Sequence, residues 1–173
     1  MTEKKENILQ AALQLFAQEG YHATSTSKVA KAAAVSEGLI FRHFGNKEGL
    51  LKAILEVGES KFKELVVEIE MESEPKEVIR KAIRLPLNID VSDYDFWKLQ
   101  YKLKWELEVN SDAKMEPLQM ALTNAFSKLN YDTPALEASL LLLYIDGIGS
   151  SVLKGSTINP NDITVLLLKK YNL

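Results

Sequence analysis

Between Thr26 and Lys47 the chain sets four cations, Lys28, Lys31, Arg42 and Lys47, against one acid, Glu37, among small hydroxyl residues. That mixture suits contact with phosphates. Lys28, Arg42, His43 and Lys47 can meet phosphate oxygens directly, and the Thr26 hydroxyl can donate at the start of a helix, beside backbone amides that favour an anion. Ser27, Ser36, Glu37, Gly38 and Leu39 fall at the starts of two short helices, where a helix entering a groove meets base edges. Glu37 can accept from a cytosine amine, Leu39 can touch a thymine methyl, and Gly38 permits close approach. Each of these, read alone, is equally an ordinary exposed helix residue.

Other chemistries find little to rest on. The absence of cysteine removes disulfides, thiol catalysis and cysteine-based zinc sites, and carries no mark of an oxidising compartment, so a cytoplasmic address is expected. His43 has only His22 as a second histidine, too few ligands for zinc; no metal and no cofactor is expected. Gly147-Ile148-Gly149 begins like a dinucleotide fingerprint, but it follows a helical run and lacks the last glycine, so it reads as small residues that let another helix approach. No Ser-His-Asp order, Walker loop or paired-carboxylate signature stands out, and an enzyme is not expected.

The elements that must position these residues follow from spacing. Lys4 to Glu19 carries Ile8, Ala12, Leu15 and Phe16 three and four apart, an amphipathic helix that Gly20 ends. Ser25 and Thr26 can cap a second helix with Val29, Ala30 and Ala33 inside it; Ala34 and Val35 turn the chain, and Ser36 can cap a third helix from Glu37 to Phe44. Two short helices joined by a tight turn form a helix-turn-helix, whose second helix enters the DNA major groove. After Asn46, periodicity runs from Lys47 to about Met71; twenty-five residues at ~1.5 Å each span roughly 37 Å. Helix starts at Ser73 to Pro75, Ser92, Asp112, Thr133-Pro134 and Asn159-Pro160 divide the remainder, and Pro86 stops the first of these near Leu85.

No segment alternates with period two. The expected fold is therefore all-α, about nine helices, with a three-helix head over residues 1–46 and a helical body over 47–173. With 46% hydrophobic residues the chain can bury a core. Net charge is −3, yet residues 1–50 carry six bases and five acids while 51–173 carry fifteen and nineteen. A slightly positive head on an acidic body suits a protein that meets phosphates at one end. The N-terminus is amphipathic rather than a signal peptide, and the most apolar run, Leu140 to Ile145, is too short for a bilayer. No membrane partner is expected.

The first 55 residues resemble the DNA-binding head of the TetR family of one-component regulators. The likeness lies in the amphipathic first helix, the glycine before a Thr/Ser cap, the run VAKAAAVSEGLIFRHFGNKEGLL and the long fourth helix. It supports Thr26, His43 and Lys47 most directly as phosphate contacts. Two positions depart from the family pattern: Ala34 stands for the usual turn glycine, tolerable at small cost if its φ stays negative, and Phe41 stands for a tyrosine whose hydroxyl commonly bonds a phosphate.

The resemblance implies partners: double-stranded DNA, a second copy of the chain and a small molecule, in a protein that acts as a repressor. Trp97, Tyr101 and Trp105 recur every four residues, beside Phe96, Leu99 and Leu103; this ladder lines a pocket for an apolar or aromatic compound or is simply core. By analogy Phe62, Met120, Phe126 and Tyr144 complete the pocket, while Lys98, Lys102 and Lys104 read as solvated. The helix from Thr133 is apolar nearly all round and needs two partners. Leu136, Leu140, Leu143 and Tyr144 form one side. Leu141, Ile145, Ile148, Gly149 and Val152 form the other, which by resemblance meets a second subunit together with Ile163, Leu166 and Leu167. Two heads would then sit ~34 to 36 Å apart on a near-palindromic site. The alternative is a helical protein-interaction module that keeps the head without reading DNA.

Overall fold

The computed structural model describes residues 3–106, 112–155 and 159–173, with side chains for all of these except 104–106 and 112–114. Among the described residues there are nine α-helices and no strand: α1 Glu3–Glu19, α2 Thr26–Ala32, α3 Glu37–Phe44, α4 Lys47–Glu70, α5 Pro75–Arg84, α6 Tyr94–Glu106, α7 Asp112–Lys128, α8 Pro134–Lys154 and α9 Pro160–Lys170. Short 3₁₀ turns at Leu85–Asn88 and Val91–Asp93 follow α5, where Pro86 removes the donor that an α-helix would need next. Ser25, Asn46 and Asn159 cap their helices through side-chain oxygens, accepting from the amides of Lys28, Gly49 and Asn161. Ser36 and Thr133 hold N-cap positions without such a bond, so their hydroxyls do not do the capping expected of them.

Two compact units emerge, and their division differs from the expected break at residue 46. The first comprises Met1–Phe62 and Ser92–Val109, the second Lys63–Val91 and Asn110–Leu173. In the first, Ile8, Ala12 and Phe16 of α1 pack with Val29 and Ala30 of α2, Ile40 of α3 and Leu50, Leu51 and Ile54 of α4. Phe96, Leu99 and Leu103 of α6 join that same core. Thus α6 belongs with the head's helices, lying against α1. Lys102, expected to be solvated, donates to the carbonyls of Ala17 and Gln18 at the end of α1. It satisfies acceptors that the helix itself cannot, and puts a cation at the negative end of the helix dipole.

The second unit is built on α7 and α8, with α5 against both and α9 packed on α5 and α8. Phe126 is fully buried between Tyr131 and Tyr171, ring centroids 5.0 and 5.4 Å away. Tyr171 donates to Glu137 Oε2 at 3.3 Å; burial first, and the Glu137 charge second, raise its phenol above the ordinary value.

The two faces of α8 are the reverse of those expected. Leu141, Ile145, Ile148 and Gly149 are buried within this chain's own core, as is Leu167 of α9, while Val152 and Ile163 are half-buried. They are committed before any partner arrives. The face turned to solvent carries Leu136, Leu140, Leu143 and Tyr144, with Val165 and Leu166 exposed on α9; of the proposed contact set only Leu166 is fully outward. Asp146 is exposed. One further expectation changes: α8, at 21 residues, is long and apolar enough to cross a membrane by length and composition. The short run Leu140 to Ile145 understated it, because Glu137, Asp146 and Lys154 are spread thinly along the helix.

Candidate nucleic-acid interface

The surface that could meet DNA is built by the turn between α2 and α3. Val35 N–H bonds the Ala30 carbonyl at 3.0 Å and Ala34 N–H the Lys31 carbonyl at 3.3 Å, the paired bonds of a Schellman ending. Such an ending needs a left-handed residue, and Ala34 supplies it with φ +53°. The condition for a small cost, a negative φ, is therefore not met; the turn is kept at the cost of Cβ strain, ~1 to 2 kcal/mol. Ala34→Gly should raise unfolding stability by about 0.5 to 1 kcal/mol, the strain relieved less the entropy glycine loses. A thermal or urea melt reads this, and lower stability in the variant would contradict the turn geometry.

The turn orients α3 so that Ile40 is fully buried while Gly38, Phe41, Arg42 and His43 face solvent, and Leu39 and Phe44 rest partly on the core. At the far end Gly45 takes φ +78°. Gly49, in the first turn of α4, lies so close to α3 that an added Cβ would stand 1.9 Å from the Phe44 carbonyl oxygen. These two glycines fix the angle between α3 and α4. Thr24 closes the α1–α2 turn from inside, buried and donating to the Gly20 carbonyl at 2.9 Å. Thr24, Gly49 and Lys102 position the site; sequence reading gave Thr24 and Gly49 no role and took Lys102 as solvated. Only the GNKEG spacing hinted at one of them.

The expected phosphate contacts divide into free and committed groups. Arg42 and His43 are exposed, and Arg42 and Lys31 make no ion pair among the described residues. Ser27 and Ser36 are also exposed. Lys28 instead pairs with both oxygens of Glu19, at 2.7 and 2.5 Å. Lys47 lies 4.4 Å from the centroid of the Tyr21 ring and donates to the His22 carbonyl at 3.4 Å. Tyr21 is itself buried, and burial, then the Glu48 charge, raises its phenol above the usual value. The Thr26 hydroxyl donates to Glu37 Oε1 at 2.6 Å, so neither side chain is free in the unliganded head.

The residues expected to line a ligand pocket are divided between the two units. Phe62, Trp97 and Tyr101 belong to the first unit and Met120, Phe126 and Tyr144 to the second. Phe126 is core, Met120 and Tyr144 are exposed, and Trp105 falls outside the described side chains. Met120 edges a surface hollow of about 310 Å³ with Glu116, Gln119, Thr123 and Asn124. Trp97 stands against Phe62 and Phe96, centroids 6.2 and 5.0 Å away, and its buried Nε1 has no acceptor among the described residues. Among the described residues no group of three His, Cys, Asp or Glu is placed to hold a metal.

Residues 8–54 match the family model of bacterial regulatory proteins, tetR family. Over 184 aligned residues the chain is 28% identical to the HTH-type transcriptional regulator YuxN of Bacillus subtilis; the match takes in 99% of this chain but 63% of that protein's length. Its fold is that of a transcriptional regulator from Saccharomonospora viridis solved with choline, at a TM-score of 0.77 and 23% identity over 99% of this chain and 96% of that one. AibR, solved with isovaleryl coenzyme A and operator DNA, is similar at a TM-score of 0.71 and 21% identity over 96% of each chain. These matched proteins are regulators, not enzymes.

Proposed function

From the match of residues 8–54 to the tetR family of bacterial regulatory proteins, we propose that this chain belongs to that family and is a DNA-binding transcriptional regulator of the cytoplasm. It binds a near-palindromic operator as a homodimer, represses, and is released by a small molecule. The observation that carries the DNA reading is the exposure of Gly38, Phe41, Arg42 and His43 on α3 opposite a fully buried Ile40. A helix held this firmly from behind can enter a major groove as a rigid body.

Two unpaired cations give the direct test. Arg42→Ala and Lys31→Ala should each lower affinity for any duplex about tenfold and flatten the salt dependence by roughly one unit of slope, as loss of one phosphate contact does. Fluorescence anisotropy at several salt concentrations, followed by a genome-wide footprint, reads both. An interaction module that does not read DNA would leave no specific footprint and tolerate both changes.

The second copy binds over the outward stripe of α8 and α9. A bilayer is a poorer occupant, because spanning it with α8 would strip Ala138, Leu141 and Ile145 from the second unit's core. The small molecule is an apolar or aromatic compound carrying an acceptor for Trp97 Nε1; the choline and the isovaleryl coenzyme A of the two similar structures support a bound small molecule. From Trp97 the path to the head is short. Lys102, on the same helix, holds the end of α1, and Glu19, the next residue there, holds Lys28 of α2. A ligand that shifts α6 thereby acts on the DNA-facing helices, and such couplings are typically worth ~1 to 3 kcal/mol.

A further inference from the structure

Thr26 and Glu37 are the first residues of α2 and α3, and they are bonded to each other across the turn at 2.6 Å. The hydroxyl that should donate to a phosphate already has a carboxylate acceptor. The carboxylate that should read a base already has a donor. Lys28, beside them, repeats the arrangement with Glu19. Two adjacent phosphate-facing groups thus carry an internal acid in place of the DNA oxygen.

We propose that Glu37 is a specificity-determining residue of the head: it occupies the Thr26 hydroxyl in the free protein and gives it up only to duplexes that offer a base-edge amine in exchange. The inference rests on the DNA-binding reading above. On a duplex of arbitrary sequence, a phosphate can reach Thr26 only by displacing Glu37, which is then left as an unpaired negative charge among phosphates. On the operator, Glu37 moves to the exocyclic amine of a cytosine or adenine in the major groove, the donors that carboxylates accept from there. Thr26 turns to the phosphate in the same step. The exchange leaves both groups partnered on the operator and leaves Glu37 without a partner elsewhere, so the penalty falls on non-specific binding.

A double-mutant cycle separates this exchange from the mere removal of a negative charge. For a fixed mixed-sequence duplex of thirty base pairs, Glu37→Ala should tighten binding by about tenfold. In the Thr26→Val background, where no hydroxyl remains to be released, the same change should gain less than about threefold. In parallel, the wild-type chain and E37A each select duplexes from a randomised pool. The wild-type pool should fix cytosine or adenine at one position per half-site, and the E37A pool should lose that preference alone. Melting curves on every variant show that the head remains folded. An equal gain in both backgrounds, or an unchanged selected base, overturns the exchange. If the wild type and all variants fail to bind any duplex even at low salt, the DNA-binding reading falls first, and the exchange with it.

Discussion

Leu143→Asp should convert a dimer of this chain into a monomer and lower its affinity for a duplex with two half-sites by about 100-fold or more, the advantage of linked over separate binding. Leu143 is 72% exposed and Leu136 68%, and with Leu140 they lie three and four residues apart on one stripe of α8. Lys170 of α9 lies over the Tyr144 ring, 5.6 Å from its centroid, so Leu166, one turn earlier on α9, sits beside that stripe. Burying a leucine is worth roughly 1.5 to 3 kcal/mol, and a continuous patch of five or six such side chains marks a surface made to be covered. An unpaired aspartate in its centre costs about 3 to 5 kcal/mol once desolvated. Sedimentation equilibrium reads the mass and a duplex titration the affinity. Because Leu143 is outward, the melting temperature should hardly move, whereas Ile145→Asp should unfold the second unit. A dimer that persists in L143D would assign this face to something other than a second copy.

That prediction uses the face of α8 that sequence reading assigned to the core, and the reason for the reversal is physical. Periodicity locates an apolar face; it cannot say which neighbour covers it. With Leu141, Ile145 and Ile148 on one side and Leu136, Leu140 and Leu143 on the other, both sides are equally eligible. The same ambiguity governed α6. Trp97 and Tyr101 drew attention by size, but Phe96, Leu99 and Leu103 are the residues that dock it, and they dock against α1, more than seventy residues earlier. No local signal encodes so distant a partner.

What was legible was local. Gly20, Ser25, Asn46 and Asn159 ended or began helices as their chemistry requires, and the Thr26 to Lys47 stretch did fold as two helices around a tight turn. What its side chains were doing was not legible. Thr26 and Glu37 are eleven residues apart, and Lys28 and Glu19 nine, separations with no fixed meaning in a helix. The first pairing depends on the angle set by a left-handed Ala34 between α2 and α3, the second on the α1–α2 turn that Gly20 and Thr24 make. A residue type announces what it can bond, and the fold decides what it does bond.

Gly58→Ala should destabilise the first unit by about 2 kcal/mol, although alanine is the better helix former by ~1 kcal/mol. The Phe96 ring sits on Gly58, and an added Cβ would fall 1.6, 1.9 and 2.6 Å from its Cζ, Cε2 and Cε1 atoms. A ring at the end of a flexible side chain could ordinarily swing aside. This one is 4% exposed and meets Trp97 edge to face at 5.0 Å, so it can yield only by moving α6, and overpacking of that kind costs ~1 to 3 kcal/mol. The movement would also loosen Lys102 from the end of α1, so G58A should weaken the ligand's control over DNA binding more than it weakens binding itself. Phe96→Leu supplies the matching test. Alone it costs stability by leaving a cavity, but in G58A it removes the clash, and the double variant should exceed the additive expectation by about 1 to 2 kcal/mol. Urea melts of the four proteins measure that coupling. If G58A proves more stable than the wild type, as an unconstrained glycine in a helix would be, then Phe96 is not seated on Gly58 and α6 is not locked to α4 in this way.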